Sequence, residues 1–150
     1  MSANTLNLVR TAVDELEEHG IAPVLGGGWA EELRRMIVPM EHKDIDLFLV
    51  AHDLSSVDDL LTASGHPEIE AKHFEHKRAY LLGTVMVEIV LVKPLATDEH
   101  RTDFWNTATL VWPVPLADAV GGLTCLTPEA LMAYRAAHCA IEAARPATRT

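Results

Sequence analysis

Apolar residues recur with a helical period in four segments of the chain, which predicts four helices. In the first, the apolar positions at helical spacing are Leu6, Val9, Val13 and Leu16. The second runs from Trp29 until Pro39 ends it, and the third covers residues 55–63. The fourth begins at Thr127, a good helix cap, with Pro128 in the first helical position.

Short apolar or alternating runs between these helices predict four strands. They cover residues 23–25, 44–50, 69–82 and 84–92, with a turn at Gly83. The segment from residue 94 to residue 120 contains two tryptophans and several prolines, and we predict that it is irregular. No repeat or linker divides the chain, so we predict a single domain over residues 1–150.

Composition narrows the classes of function that fit this chain. Of its 150 residues, 49% are hydrophobic and 23% are charged, which is typical of a globular domain. The formal net charge is −10, so we do not expect the basic face of a DNA- or RNA-binding protein. A small anionic ligand bridged by a metal ion is compatible with this charge. Neither a signal peptide nor a membrane span is recognisable, and two cysteines form no disulfide framework, so we predict a cytoplasmic location.

Three carboxylates lie in strands that are otherwise apolar. Asp44 and Asp46 alternate along one predicted strand, so they project from one face about 7 Å apart and can converge on a divalent cation. Glu88 is the one charge in the run VMVEIVLV, where an unpaired carboxylate would be costly to bury. A metal ion would compensate this burial, and so would a salt bridge to Lys77 or Arg78. For the two aspartates, the alternative is an exposed and solvated strand end.

Three consecutive glycines, Gly26-Gly27-Gly28, connect a short strand to the second helix. Glycine allows the backbone to turn sharply and to approach a ligand, and a helix N-terminus offers free N–H groups to phosphate. Lys77 and Arg78 are further candidates for phosphate contacts, or else surface charges on a strand. The glycines form neither a Walker loop nor a dinucleotide-binding fingerprint, and a tight turn alone would also need a glycine.

The glycine turn and the carboxylates together suggest one chemistry. A nucleoside triphosphate held at the glycines and bridged by Mg²⁺ to the carboxylates is arranged for phosphoryl or nucleotidyl transfer. A carboxylate could accept the proton of the attacking hydroxyl.

Two segments, GGWA at residues 27–30 and EHKDID at residues 41–46, resemble the GGW…H-x-D-I-D signature of small antibiotic nucleotidyltransferases. The likeness is to the lincosamide and aminoglycoside type, within the polymerase-beta-like nucleotidyltransferase superfamily. A third acid stands in Val87-Glu88-Ile89, as it does in that family, and the resemblance covers roughly residues 20–95. It implies an α+β nucleotidyltransferase fold, with helices packed on a mixed β-sheet and a C-terminal helix.

The resemblance also implies a role for each candidate residue. Gly27 and Gly28 would bind the nucleoside triphosphate, Asp44 and Asp46 would bind Mg²⁺, and Glu88 would be the third acid, as metal ligand or general base. The implied activity is Mg²⁺-dependent transfer of a nucleoside monophosphate to a hydroxyl of a small molecule. An aminoglycoside or a lincosamide-like compound would be the acceptor.

One departure from the family pattern bears on this activity. The third acid is usually aspartate, and the glutamate at position 88 moves its carboxylate by about one carbon–carbon bond length. Two alternatives therefore stay open: an antitoxin-like or regulatory protein of this fold that acts on a partner protein, and a non-catalytic nucleotide-binding domain. We also expect a homodimer, because so small a domain alone would offer a shallow acceptor pocket.

Overall fold

The computed structural model describes residues 3–96, 98–105 and 107–146. Within these residues the helices are α1 (Leu6–Glu18), α2 (Gly27–Leu33), α3 (Ser55–Ser64) and α4 (Pro128–Ala144), with a 3₁₀-helix at Glu70–Lys72. The strands are β1 (Val24–Leu25), β2 (Asp44–Val50), β3 (Lys77–Leu82), β4 (Val85–Pro94), β5 (His100–Phe104), β6 (Ala108–Val111), β7 (Ala117–Val120) and β8 (Leu123–Leu126).

The described strands form one mixed sheet with β2 near its centre. The strand order is β6-β5-β4-β2-β1-β8-β7, and β3 pairs with β4. Strand β2 runs parallel to β4 and antiparallel to β1, while β1 runs parallel to β8. Helices pack on this sheet and α4 ends the described chain, so the predicted α+β class is confirmed.

Strand β2 has the bounds that the sequence predicts, residues 44–50. Ile45, Leu47 and Leu49 are buried on one face, while Asp44 and Asp46 alternate with them. On the aspartate side, Phe48 continues the strand and makes edge-on ring contacts with Trp112 and with Tyr134 of α4. The two aspartates therefore lie at the end of a strand whose remaining part is covered by the core.

The predicted strand over residues 69–82 is wrong in its first half. The strand is confined to Lys77–Leu82, and the 3₁₀-helix precedes it. Residues 70–76 are mostly polar, so they offer no continuous apolar face for the sheet to bury. This segment is joined to β3 by one isolated bridge, Phe74 with Lys77.

The predicted irregular segment over residues 94–120 is also wrong, because it contains strands β5, β6 and β7. These strands have four or five residues each and pair with neighbours along the chain, β5 with β6 and β7 with β8. Helix α2 is shorter than expected and ends at Leu33, since Arg35 adopts a positive φ of 60°. None of the described helices is long and apolar enough to span a bilayer.

Candidate active site

The parallel pairing of β2 with β4 places two of the predicted acids side by side. In this register Asp46 is the direct partner of Glu88, and neighbouring strands lie about 4.8 Å apart. Asp46 and Glu88 line a cavity of about 260 Å³, which we call the acid cavity. Asp44 lies two residues earlier on the same face of β2 and interacts electrostatically with Glu88. The structure therefore brings the three predicted acids together.

Burial and mutual repulsion dominate the electrostatics of the two aspartates. Burial, then Glu88 and Asp44, raise the pKa of Asp46 to about 7. Burial and then Glu88 also raise the pKa of Asp44. In the described residues, neither aspartate forms an ion pair within 4 Å that would offset this repulsion. Their carboxylates are thus held in an environment that favours a bound cation.

Glu88 differs from the aspartates because two lysines hold it. Nζ of Lys72 lies 2.7 Å from Oε1 of Glu88, and Nζ of Lys77 lies 3.5 Å from Oε2. Burial raises the pKa of Glu88, but Lys77 and Lys72 outweigh burial and bring it below the usual range. The sequence anticipated Lys77 as a salt-bridge partner; Lys72, from the 3₁₀-helix, is closer.

Arg78 is not brought to the acids. It follows Lys77 on β3, and successive residues of a strand point to opposite faces. Its guanidinium binds both carboxylate oxygens of Asp58 on α3, with Nε 2.7 Å from Oδ1 and Nη2 3.1 Å from Oδ2, and it also donates to the carbonyl of Phe74. We therefore leave Arg78 out of the proposed phosphate contacts.

The glycine turn lies directly against the acids. A Cβ added at Gly27 would be 2.2 Å from Oδ2 of Asp46, and one added at Gly28 would be 2.6 Å from Nδ1 of His42. Gly27 also has a φ of +59°, which residues with a side chain rarely adopt. Only glycine lets the start of α2 approach the Asp46 carboxylate this closely.

A layer of hydrogen bonds behind the glycines fixes the Asp44 end of β2. Nδ2 of Asn4 donates to the carbonyls of His42 (3.0 Å) and Asp44 (3.1 Å), and Oδ1 of Asn4 accepts from the indole N–H of Trp29 at 3.0 Å. The ring of His42 lies 4.3 Å from that of Trp29, and its Nε2 lies 2.9 Å from a carboxylate oxygen of Glu32. No local sequence pattern indicates this role of Asn4, because the residues that it contacts are about forty positions away.

The Asn4→Ala variant is expected to lower the free energy of unfolding by about 1–3 kcal/mol, because the buried Trp29 indole N–H loses its acceptor. Urea unfolding measures this change. The matched control is Asn7→Ala on the exposed side of α1, expected to change stability by less than about 0.5 kcal/mol. Equal effects of the two substitutions would contradict the anchoring role of Asn4.

A second cavity of about 350 Å³, the glycine cavity, lies between α2 and α4. Gly27 and Gly28 line it, as does Glu31, whose buried carboxylate pairs with the guanidinium of Arg135 on α4. Tyr134 and His138 of α4 line both this cavity and the acid cavity. The Glu31–Arg135 pair spans 104 residues of sequence, so helical periodicity alone could not reveal it.

Three carboxylates on adjacent strands form the oxygen donor set that Mg²⁺ prefers. Asp44, Asp46 and Glu88 therefore fit a divalent cation by chemistry and by position. However, the carboxylate oxygens of these three residues do not all lie within 4.8 Å of one another. Among the described residues, the one group of three ligand atoms within 4.8 Å of one another is that of Asp58, Glu68 and His73. Asp58 of that group already pairs with the guanidinium of Arg78, and Nδ1 of His73 lies 2.7 Å from a carboxylate oxygen of Glu68.

Comparison with known proteins identifies the fold. A scan against protein-family models finds no match, and a search of curated proteins finds none either. Among solved structures, the lincosamide antibiotic adenylyltransferase LnuA, bound to lincomycin, is similar with a TM-score of 0.71 and 16% identity. That alignment covers 93% of this chain and 96% of LnuA.

This chain has the nucleotidyltransferase fold. ANT(2'')-Ia in complex with adenylyl-2''-tobramycin is also similar, with a TM-score of 0.63 and 16% identity over 93% of this chain and 80% of that one. A Thermotoga maritima protein assigned as a nucleotidyltransferase is 21% identical, with a TM-score of 0.60, over 92% of this chain and 87% of that one. The fold expected from the GGW and DID segments is thereby confirmed, while identities this low carry no residue roles.

Proposed function

We propose that this nucleotidyltransferase-fold protein is an enzyme that transfers a nucleoside monophosphate from a nucleoside triphosphate to a hydroxyl group of a small molecule, with Mg²⁺ as cofactor. One observation carries the proposal: the Gly27 turn lies against the Asp46 carboxylate, and Asp46 is the register partner of Glu88 on the next strand. The turn lines one cavity and the two acids line the other, and Tyr134 and His138 line both. A glycine turn used only to connect β1 to α2 would not need to lie against an acid that is costly to bury.

The two cavities suggest where the two substrates bind. The triphosphate would lie along Gly27 and Gly28 in the glycine cavity, with its α-phosphate near Asp46. The acceptor would enter the acid cavity. Its hydroxyl oxygen attacks the α-phosphorus, the bond from phosphorus to the bridging oxygen breaks, and pyrophosphate leaves. Lys77, at the acids, is positioned to offset the negative charge of the phosphates.

The reaction also needs a metal site and an acceptor for the hydroxyl proton. Asp44, Asp46 and Glu88 would hold Mg²⁺, which would supply positive charge to the phosphates. The hydroxyl proton needs an acceptor, and a base is most effective when its pKa lies near the working pH. The pKa of Glu88 lies below its usual range, which favours its role as a metal ligand over a role as general base. With Asp44, Asp46 and Glu88 all assigned to the metal, pyrophosphate and bulk water would take up the proton.

The lining of the acid cavity favours an acceptor with little positive charge. Among the described residues that line it, the one carboxylate besides the proposed metal ligands is Glu142, which lies 3.9 Å from Arg145. A polycationic aminoglycoside would meet Lys72, Lys77 and Arg145 there without free carboxylates to pair with. Aromatic rings supply the apolar walls of this cavity: Phe74, Phe104, Trp105 and Tyr134. We therefore propose a hydroxylated, lincosamide-like acceptor with an apolar part.

Incubation with each of the four nucleoside triphosphates, Mg²⁺ and either lincomycin or tobramycin tests this proposal. We expect pyrophosphate release and a mass gain of one nucleoside monophosphate on lincomycin, with kcat/KM at least about tenfold above that for tobramycin. The Trp105→Leu variant should raise the KM for lincomycin and leave the KM for the nucleotide unchanged, because Trp105 lines only the acid cavity of the two. A preference for tobramycin would overturn the acceptor assignment.

The same experiment separates the alternative functions. If the nucleoside triphosphates carry a label, label that reaches only a co-purified protein would support an antitoxin-like or regulatory protein that acts on a partner protein. Nucleotide binding without any transfer would support a non-catalytic domain. The expected homodimer stays a prediction, which the mass of the chain in solution tests.

A further inference from the structure

Both carboxylate oxygens of Glu88 are occupied by ammonium groups of this chain. Oε1 lies 2.7 Å from Nζ of Lys72, and Oε2 lies 3.5 Å from Nζ of Lys77. A carboxylate held in this way binds a divalent cation less tightly, since an ammonium group and the cation repel each other at contact distance. The ligand atoms of Asp44, Asp46 and Glu88 also do not lie within 4.8 Å of one another in the described chain. Cation binding at Glu88 is therefore favoured when one of the two lysines leaves it.

Lys72 and Lys77 differ in their freedom to move. Lys77 belongs to β3, where its register partner across the ladder is Val90 of β4, and its side chain is 18% exposed. Lys72 ends a 3₁₀-helix of three residues outside the sheet, and its side chain is 30% exposed. A lysine side chain has four rotatable bonds and carries its charge at the tip, so Lys72 can swing without any change in the sheet.

We propose that Lys72 is a displaceable internal cation, which holds Glu88 in the metal-free chain and moves to the phosphates of the nucleotide when a divalent cation takes its place. This inference rests on the proposed function, since it assumes that a metal-bound triphosphate binds at these acids. Lys72 lines the acid cavity together with Asp46, near which we place the α-phosphate, so its ammonium group reaches this phosphate by moving within that cavity. In this role Lys72 compensates the charge of Glu88 until the substrate brings its own cation.

The exchange makes two predictions of opposite sign for one substitution. Lys72→Met keeps an unbranched side chain that is one atom shorter and removes its charge. Without nucleotide, this variant is expected to bind Mn²⁺ roughly threefold to tenfold more tightly than the wild-type chain, because the cation no longer competes with an ammonium group. With Mg²⁺ present, it is expected to bind a non-reactive α,β-methylene triphosphate analogue about tenfold or more weakly, because a charged hydrogen bond to phosphate is lost.

Electron paramagnetic resonance of free Mn²⁺ measures the first constant, and calorimetric titration with the analogue measures the second. The matched control is Lys93→Met, because the Lys93 side chain is also 30% exposed and pairs with an exposed glutamate, Glu75, outside the acid cavity. It changes the net charge equally and is expected to leave both constants unchanged. Lys72→Arg, which keeps the charge, is expected to restore both constants toward wild type.

The outcomes distinguish this inference from the proposed function. If the wild-type chain binds neither Mn²⁺ nor the analogue, the proposed function fails. If the wild type binds both, but Lys72→Met changes neither constant or shifts both in the same direction, the exchange is overturned while the proposed function stands. A lysine that only stabilises the fold would lower the melting temperature without producing opposite shifts in the two constants.

Discussion

The Asp46→Asn variant is expected to lose nucleotidyl transfer and yet to unfold less readily than the wild-type chain above pH 7. Asp46 is the acid whose pKa is raised to about 7 by burial, Glu88 and Asp44. Asparagine has nearly the same shape but carries no charge, so it removes both the proposed metal ligand and the repulsion among the acids. We expect a loss of transfer of at least about a hundredfold.

The stability gain follows from the direction in which the pKa of Asp46 is displaced. In the unfolded chain Asp46 ionises near its ordinary pKa of 3.8, whereas in the metal-free folded chain it stays protonated until about pH 7. Between these values the folded state binds more protons than the unfolded state, so the stability contributed by this group falls as the pH rises. A tenfold difference in acidity between the two states corresponds to about 1.4 kcal/mol, and with relaxation we expect a gain of about 1–3 kcal/mol at pH 8.

Urea unfolding in the presence of EDTA at pH 5 and pH 8 measures this effect. The advantage of Asp46→Asn should be larger at pH 8 than at pH 5, where wild-type Asp46 is still largely protonated. Asp53→Asn serves as a control that should not gain stability at pH 8. Hydrogen bonds from Ser55 lower the pKa of Asp53, so its charged form is favoured in the folded chain. A variant that is less stable than wild type at pH 8 would contradict the repulsive cluster.

The Gly27→Ala variant is expected to reduce transfer by about a hundredfold, the loss associated with a displacement of about 1 Å in a catalytic site. The added methyl group would lie 2.2 Å from Oδ2 of Asp46, so either the turn or the carboxylate must move. The variant also carries the strain of a side chain at a φ of +59°, about 1–2 kcal/mol.

Gly83→Ala separates the displacement from the strain. Gly83 has a φ of +63°, close to that of Gly27, but an added Cβ there meets nothing within 4 Å. We expect Gly83→Ala to have a lower melting temperature and wild-type transfer per folded molecule. Chemical unfolding and pyrophosphate release measure the two quantities. If both variants lose activity equally, the contact between Gly27 and Asp46 has no role in transfer.

The extent to which the sequence predicted this site depended on local patterns. The alternation of Asp44, Ile45 and Asp46 was sufficient to place β2 and its two acids, because side chains of a strand alternate between faces. The apolar run around Glu88 was sufficient to predict a buried strand, β4, that contains a single acid. The same rule of alternation separates Arg78 from Lys77, although the sequence analysis grouped them as neighbouring cations.

The site residues that no sequence pattern indicated are those that act through tertiary contacts. Asn4 reaches the carbonyls of His42 and Asp44, and Glu31 pairs with Arg135 across 104 positions. Such contacts depend on how helices are placed on the sheet, which no periodicity encodes. Lys72 was not predicted as a partner of Glu88, because the sequence pattern predicted a strand over residues 69–82. In the structure a short 3₁₀-helix stands at residues 70–72, and Lys72 at its end contacts Glu88.

Helix α4 forms part of the wall of both cavities, and this shared wall restricts how such a protein could acquire new acceptors. A substitution at Tyr134 or His138 that widens the acid cavity also reshapes the glycine cavity, so acceptor range and nucleotide affinity cannot diverge independently through these two residues. Phe74 and Trp105 line the acid cavity and do not line the glycine cavity. Evolutionary change in acceptor choice is therefore expected to concentrate on the 3₁₀-helix to β3 connection and on the end of β5, while Tyr134 and His138 are conserved.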